Sequence, residues 1–228
     1  MAFFIKDDME KIILAWSGGK DSAFALYELR KGGQYEVVGL MTTITRDYDR
    51  VSMHGIRTPL IEQQAKNAGL PLIKVFISAQ SSNEEYAAAM TRVLNQLKTR
   101  DIQKVAFGDI FLEDVRSYRE KNLALVGMTA VLPLWGKDSK KLAEEFIRLG
   151  FKAIVSTCDP KKISSEFCGR VIDNGFITAL PQNVDPAGEN GEFHSFAFDG
   201  PIFKQPVRFT VGEKVLRDGF WFCDLVPL

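Results

Sequence analysis

The stretch Trp16-Ser17-Gly18-Gly19-Lys20-Asp21-Ser22, WSGGKDS, lies between an apolar run, KIILAW, and a helix-like run, AFALYELRK. Two glycines, a lysine and an aspartate in one strand-to-helix turn are more than a surface turn needs. Glycines let backbone N–H groups approach a ligand with no β-carbon in the way. The helix that follows adds the positive end of its dipole, which suits phosphate oxygens. Lys20 adds a mobile positive charge, and the Ser17 and Ser22 hydroxyls can donate. Asp21 opposes a bare phosphate but fits a magnesium ion held between carboxylate and phosphate oxygens. The pattern is not GxxxxGK[ST], so a site for the terminal phosphates of the Walker type is not implied. A tight turn with a helix cap at Ser17 or Asp21 is the plainer alternative.

Outward from this turn, strand-like and helix-like segments alternate through the first 150 or so residues. Strands are predicted at 12–16, 36–43, 72–77, 104–107 and 131–134, with helices at 22–31, 58–68, 113–126 and 139–149. Thr58-Pro59 reads as an N-cap followed by proline at the first helical position. Ser82 and Glu85 read as a capping box opening another helix, with Tyr86, Met90, Val93, Leu94 and Leu97 on one face. This alternation predicts an α/β fold, a doubly wound parallel sheet with helices on both faces. In such sheets ligands sit beyond the carboxyl ends of the strands, near a switch in strand order. Residues 17–22, 42–57 and 108–116 all fall on that rim.

Beyond residue 150 the pattern changes. A strand is predicted at 151–156, a helix at 164–174, a loop at 181–192 rich in proline and glycine, and strands at 193–198, 207–211 and 220–226. The reading is a smaller C-terminal α+β domain, with domains divided as 1–135 and 136–228. The apolar tail FWFCDLVPL is core or a subunit contact, which leaves the oligomeric state open.

The chain has 228 residues, enough for a sizeable core, and 29 basic side chains balance 29 acidic ones. That neutrality disfavours a nucleic-acid partner. The start, MAFFIKDDMEK, is too short an apolar run for a signal peptide, and no stretch is long enough to cross a bilayer. Three cysteines without a CxxC pair disfavour a disulfide framework or a zinc site. A cytoplasmic protein is expected.

A second polar cluster, Glu189-Asn190-Gly191-Glu192-Phe193-His194, puts two glutamates, an asparagine and a histidine within six residues. Beside an anion-binding turn it can bind an amine, position ammonia or move a proton. A solvated loop leading into a strand is the alternative. His194 is one of two histidines and the member of the cluster expected to titrate near neutrality.

SGGKDS after the first strand resembles the pyrophosphate loop of the N-type ATP pyrophosphatases, the PP-loop superfamily with an adenine nucleotide α-hydrolase-like, HUP-type fold. GENGEFHSF followed by DGP, with FGDI at 107–110, PLWG at 133–136 and CGRVID at 168–173, resembles the diphthine–ammonia ligase family. These motifs cover the chain from about residue 11 to 203. The resemblance implies a Mg2+- and ATP-dependent ligase. Such an enzyme adenylates a carboxylate, releases AMP and pyrophosphate, and passes the acyl group to ammonia. Its acceptor is diphthine on an elongation factor or, in relatives presumed to act elsewhere, a small metabolite. A related ATP pyrophosphatase acting on another small molecule or on tRNA, and a non-catalytic adenine-nucleotide sensor, are the alternatives.

On this resemblance Ser17, Gly18, Gly19 and Ser22 line the pyrophosphate, Lys20 neutralises the charge developing there, and Asp21 is the magnesium ligand. Thr42 and Thr43, with Gly108 and Asp109, face the nucleotide. Glu189, Asn190, Glu192 and His194 form the acceptor site, with Arg116 as a further candidate, and Lys20, Asp21, Glu189 and His194 are the catalytic candidates. His54 meets substrate or lies at the surface. Arg119 and Glu120 are read as a solvated helix face, and Trp135 as packing or stacking on a ligand. Ala187 stands where many relatives carry cysteine, so no thiol chemistry is expected there, and Cys168 is read as packing. The extra C-terminal domains of longer eukaryotic members are not expected here.

Overall fold

The computed structural model describes residues 9–228; the stretch MAFFIKDD lies outside the described residues. The first part of the chain runs β1 (Glu10–Ala15), α1 (Lys20–Gly32), β2 (Tyr35–Thr45), β3 (Arg50–Val51), α2 (Thr58–Ala68) and β4 (Leu72–Ile77). It continues through α3 (Asn83–Lys98), β5 (Lys104–Ala106), α4 (Glu113–Ala124), β6 (Thr129–Val131) and α5 (Ser139–Arg148). Then come β7 (Lys152–Cys158), α6 (Asn174–Ala179), β8 (Phe193–Asp199), β9 (Phe209–Arg217) and β10 (Phe220–Pro227).

Ile12, Ile13 and Leu14 are all buried, because β1 is covered on both faces. Ile12 and Leu14 point into the core under α1, α2 and α5, and Ile13 into the core under α3 and α4. This is the period-two alternation of a central strand. β1 pairs in parallel with β2 on one side and β5 on the other, while β4 extends the sheet beyond β2 and β6 beyond β5. The parallel order is therefore β4-β2-β1-β5-β6, and it reverses direction between β1 and β5. The turn 17–22 leaves β1 and residues 107–110 leave β5, so both meet at the switch point.

The predicted α/β doubly wound sheet is present, and the capping box at Ser82 and Glu85 closes with bonds of 2.9 and 3.2 Å. Several local expectations need correction. Arg57, not Thr58, is the N-cap of α2; the Thr58 hydroxyl instead donates to the Asp49 carbonyl across the hairpin that contains β3. The strand expected at 131–134 lies at Thr129–Val131. The helix expected at 164–174 is a single 3-10 turn, Ser165–Phe167. Residues 169–172 then run alongside β7, with Gly169 and Ile172 amides bonded to Val155 and Ala153 carbonyls. The true helix α6 starts only at Asn174, capped by Asp173 on the Phe176 amide at 2.7 Å.

The second sheet is antiparallel, in the order β8-β7-β10-β9. Its β9–β10 hairpin turns on Asp218-Gly219, both at positive φ, as a two-residue turn of twisted strands requires. The strand expected at 207–211 is thus β9, displaced toward the C-terminus. One continuous core, including Leu14, Leu26, Phe146, Ile154, Phe196 and Leu225, joins the two sheets.

The join is also polar. Gln64 of α2 is fully buried, and its side-chain oxygen accepts from the Trp16 indole at 2.8 Å. Its amide nitrogen donates to the carbonyls of Gly18 (2.9 Å) and Ala197. The Ala197 amide donates to the same Gly18 carbonyl at 2.8 Å. Replacing Gln64 with Leu keeps much of the volume and strands buried donors and acceptors, each costing about 1–3 kcal/mol. Urea unfolding of Gln64→Leu is expected to show a loss of at least that size; a change below about 0.5 kcal/mol would show that the network carries no stability.

Candidate active site

The turn after β1 is shaped by its neighbours. Gly18 has φ 78°, and a β-carbon there would lie 2.5 Å from Ile61 and 2.8 Å from Gln64. Only glycine meets both the left-handed backbone and the close approach. Gly19 is the N-cap of α1 and has no side chain to cap it. The missing cap comes from 175 residues away: Ser195 Oγ, on β8, accepts from the Lys20 amide at 3.1 Å. The Gly19 amide donates to Ser17 Oγ at 3.2 Å, and Ser22 Oγ donates to the Gly19 carbonyl at 2.9 Å. The first-turn amides of Asp21 and Ser22 have no acceptor among the described residues, so they are free to meet an anion. From β5, Gly108 closes on the same turn. A β-carbon there would lie 2.8 Å from the Asp21 carbonyl carbon, so residue 108 has no room for a side chain.

Lys20 is buried, and its Nζ grips both Asp21 oxygens at 2.6 and 2.8 Å. Burial pushes the Asp21 carboxyl upward, Lys20 opposes that, and Asp185 and Asp109 add to the rise. Asp109 is held by Nε and Nη2 of Arg119, whose guanidinium carbon lies 4.3 Å from the centroid of the Phe107 ring. Glu189 accepts from the Ile110 amide at 2.7 Å, yet burial pushes it up to about 7, helped by Asp21 and Asp109.

The two histidines meet, with ring centroids 4.6 Å apart. His54 Nδ1 lies 3.2 Å from the Ser195 carbonyl, so Nδ1 carries the proton and donates. Burial lowers His54 to about 3, with His194 and Lys20 adding to it, and burial followed by Lys20 lowers His194 to about 4. Both rings are neutral at pH 7. The group that titrates near neutrality is Glu189 and not His194, because burial disfavours the charged form of each, raising the carboxyl and lowering the imidazole, and the Lys20 charge lowers the imidazole further.

These groups surround one cleft of about 460 Å³. Ser17, Asp21, Ser22, Thr42, Gly108, Asp109, Glu189 and His194 all line it, as do Thr43 and His54. Lys20 reaches it through Asp21. Thr42 Oγ1 is buried with no partner among the described residues, and so offers a hydroxyl to a ligand. Toward α3 and α4 the wall turns apolar, with Met90, Leu94, Phe107 and Leu123.

Gly18 and Gly19 shape the turn but do not line the cleft, and three further predicted residues lie elsewhere. Arg116 pairs with Glu120 at 2.8 Å and stacks 4.9 Å over Trp135, away from the cleft. One helical turn on, Arg119 is the arginine that enters it. Asn190 turns its amide to Glu192 at 3.1 Å. Glu192 is buried and also accepts from the Asp185 amide at 3.0 Å, so both brace the loop that carries Glu189. Ala187 and Cys168 are buried in the core, as packing residues. Sequence reasoning missed Gln64, Ser195 and Arg119; the first two carry no local signal, whereas Arg119 lay in a helix already known to leave the rim.

Asp21, Asp109 and Glu189 offer the hard oxygens that magnesium prefers. Among the described residues no group of three or more His, Cys, Asp or Glu forms a ready cage. A magnesium ion would therefore share its ligands between these carboxylates and phosphate oxygens. No described helix is long and apolar enough to cross a membrane.

A diphthine–ammonia ligase of Schizosaccharomyces pombe is 26% identical to this chain over 94% of it, and the chain spans 38% of that relative's length. One of Rattus norvegicus is 22% identical over 93% of this chain and 87% of its own. The crystal structure of a Methanocaldococcus jannaschii protein described as a "predicted subunit of tRNA methyltransferase" gives a TM-score of 0.41 at 17% identity, covering 63% of this chain and 77% of that one. That likeness is too slight to carry an argument. Residues 9–130 match the diphthamide synthase N-terminal domain and residues 138–225 the diphthamide synthase C-terminal domain. With both halves of the cleft inside those two matches, the chain belongs to the diphthamide synthase family.

Proposed function

We propose that this chain is a cytoplasmic ATP-dependent ligase of diphthamide synthesis. It adenylates the carboxylate of diphthine on an elongation factor, with release of pyrophosphate, and transfers the acyl group from AMP to ammonia. The observation that carries this reading is that a helix start with two unpartnered amides and a carboxylate pushed up to about 7 share one cleft. The names of the relatives supply the acceptor. In this reading residues 1–135 hold the nucleotide, and residues 136–228 bring Glu189, His194 and Ser195 to it.

The roles follow from the chemistry. The Asp21 and Ser22 amides, the Ser17 and Ser22 hydroxyls and the dipole of α1 hold the pyrophosphate half of ATP. Lys20 places positive charge where the leaving pyrophosphate gathers negative charge. Asp21, with Asp109 beside it, holds magnesium, which when bound offsets phosphate charge. Thr42 and Gly108 face the rest of the nucleotide. When ammonia attacks the acyl carbon, its nitrogen sheds a proton as the bond to AMP breaks. Glu189 is placed and poised to take that proton. The neutral His194 orients the acceptor by hydrogen bonding and adds no charge.

Incubation with ATP, ammonium and diphthine-bearing elongation factor is expected to yield AMP and pyrophosphate; ADP and phosphate would overturn the adenylation step. Lys20→Ala and Asp21→Ala are each expected to cut turnover by about 100-fold or more while circular dichroism stays native. Full activity in either removes that residue from the mechanism. The base must be ionised to accept a proton, so log kcat/KM is expected to climb with pH and level off above about 7. Glu189→Gln should lose that limb, and a variant that keeps it assigns the proton to another group.

A further inference from the structure

His54 lines the cleft, yet none of the roles described so far uses it. It sits in the turn that follows β3, and its ring is fixed on three sides. Nδ1 donates to the Ser195 carbonyl at 3.2 Å. Cε1 packs over the turn after β1, 3.0 Å from where a β-carbon on Gly19 would stand. The His194 ring lies against it, with centroids 4.6 Å and planes 36° apart. The backbone is held as well. The His54 amide donates to the Ser52 carbonyl at 2.8 Å, and its carbonyl accepts from the Thr157 hydroxyl at 3.2 Å.

A neutral imidazole has one N–H and one lone pair. The Ser195 carbonyl takes the N–H at Nδ1, so Nε2 is left as an acceptor, without a partner among the described residues. Such an atom does not bind a phosphate or a carboxylate anion, because both are acceptors themselves. Its ligand must bring the proton. The His194 ring also has no hydrogen-bond partner among the described residues, so its lone pair is a second acceptor beside the first. Its own N–H stays available to the acyl acceptor. The place also favours an uncharged ligand, since burial and the Lys20 ammonium both disfavour positive charge on these rings. The nucleoside's donors belong with the base, which suits the apolar wall of Met90, Leu94, Phe107 and Leu123, whereas His54 lies against Gly19 and Ser195.

We infer that His54 Nε2 is the docking point of the nitrogen nucleophile. It accepts one N–H of ammonia, His194 accepts a second, and the nitrogen lone pair is left free to attack the acyl carbon. Ammonia is small, uncharged and rich in donors, as this corner requires. Ammonium has no lone pair to offer and brings a charge that Lys20 repels. The inference rests on the ligase reading for what the nitrogen attacks, but the binding it asserts is read without turnover.

The test observes the ring nitrogens by NMR in the AMP-saturated chain, with its histidines isotope-labelled at nitrogen. His54→Asn, whose side-chain amide still donates to the Ser195 carbonyl, identifies the His54 signals by removing them. Nε2 is expected to resonate as an unprotonated nitrogen and to shift saturably with ammonium chloride, but not with potassium chloride at equal ionic strength. A protonated Nε2, no shift, or the same shift with potassium overturns the inference. In turnover, His54→Asn is expected to raise KM for ammonium about tenfold or more while KM for ATP stays within about twofold. An equal rise in both would show that the ring only holds the turn, and overturns the inference too. An ammonium-specific shift in a chain that releases no AMP from ATP leaves the ammonia site standing and removes the ligase reading alone.

Discussion

The carbonyl of Gly18 is the point on which the molecule turns. It accepts from the Gln64 side chain of α2 and from the Ala197 amide of β8, so one oxygen ties the turn after β1, a helix of the parallel sheet and a strand of the antiparallel sheet together. Buried carbonyls need partners, and here neither partner is local. The backbone that would meet a phosphate is therefore positioned by the whole fold and not by its own sequence. Ser195 repeats the principle two residues earlier in β8, capping a helix whose own N-cap is a glycine.

From this constraint the electrostatics of the cleft follow. Bringing β8 against α1 also brings Glu189 and His194 toward Lys20, Asp21 and Asp109. Burial, with the Lys20 ammonium adding to it, keeps both imidazoles neutral, while burial and neighbouring carboxylates make Glu189 hold its proton to about pH 7. Environment, not residue type, has divided the labour between acid and histidine.

Much of this was legible in the sequence where signals are local and periodic. The alternation of apolar runs gave the parallel sheet, the Ser82–Glu85 spacing gave its capping box, and WSGGKDS marked the turn that leaves β1 at the switch point. Signals that depend on facing or distance were not legible. Gln64 sits in TPLIEQQAKNA, where a glutamine reads as surface and nothing marks it as the one turned inward. Arg116 and Arg119 differ by one helical turn, and only the angle of α4 on the sheet decides which enters the cleft. The segment 164–174 has helix-forming residues, but Gly169 and the stretch of β7 that β10 does not reach draw it into an extended run. The cluster at 189–194 looked like four active-site groups; two of them, exposed Asn190 and buried Glu192, bond each other and hold the loop, because a loop rich in glycine needs side chains to fix it.

Since the cap of α1 and one partner of the Gly18 carbonyl both lie on β8, chain synthesis completes the turn after β1 late. The parallel sheet has all its strands once residue 131 has emerged from a ribosome, yet the strand that finishes the turn starts at Phe193. A growing chain thus carries the WSGGKDS signature without the shape that gives it meaning. An anion that needs the finished turn would therefore meet it only in the complete fold.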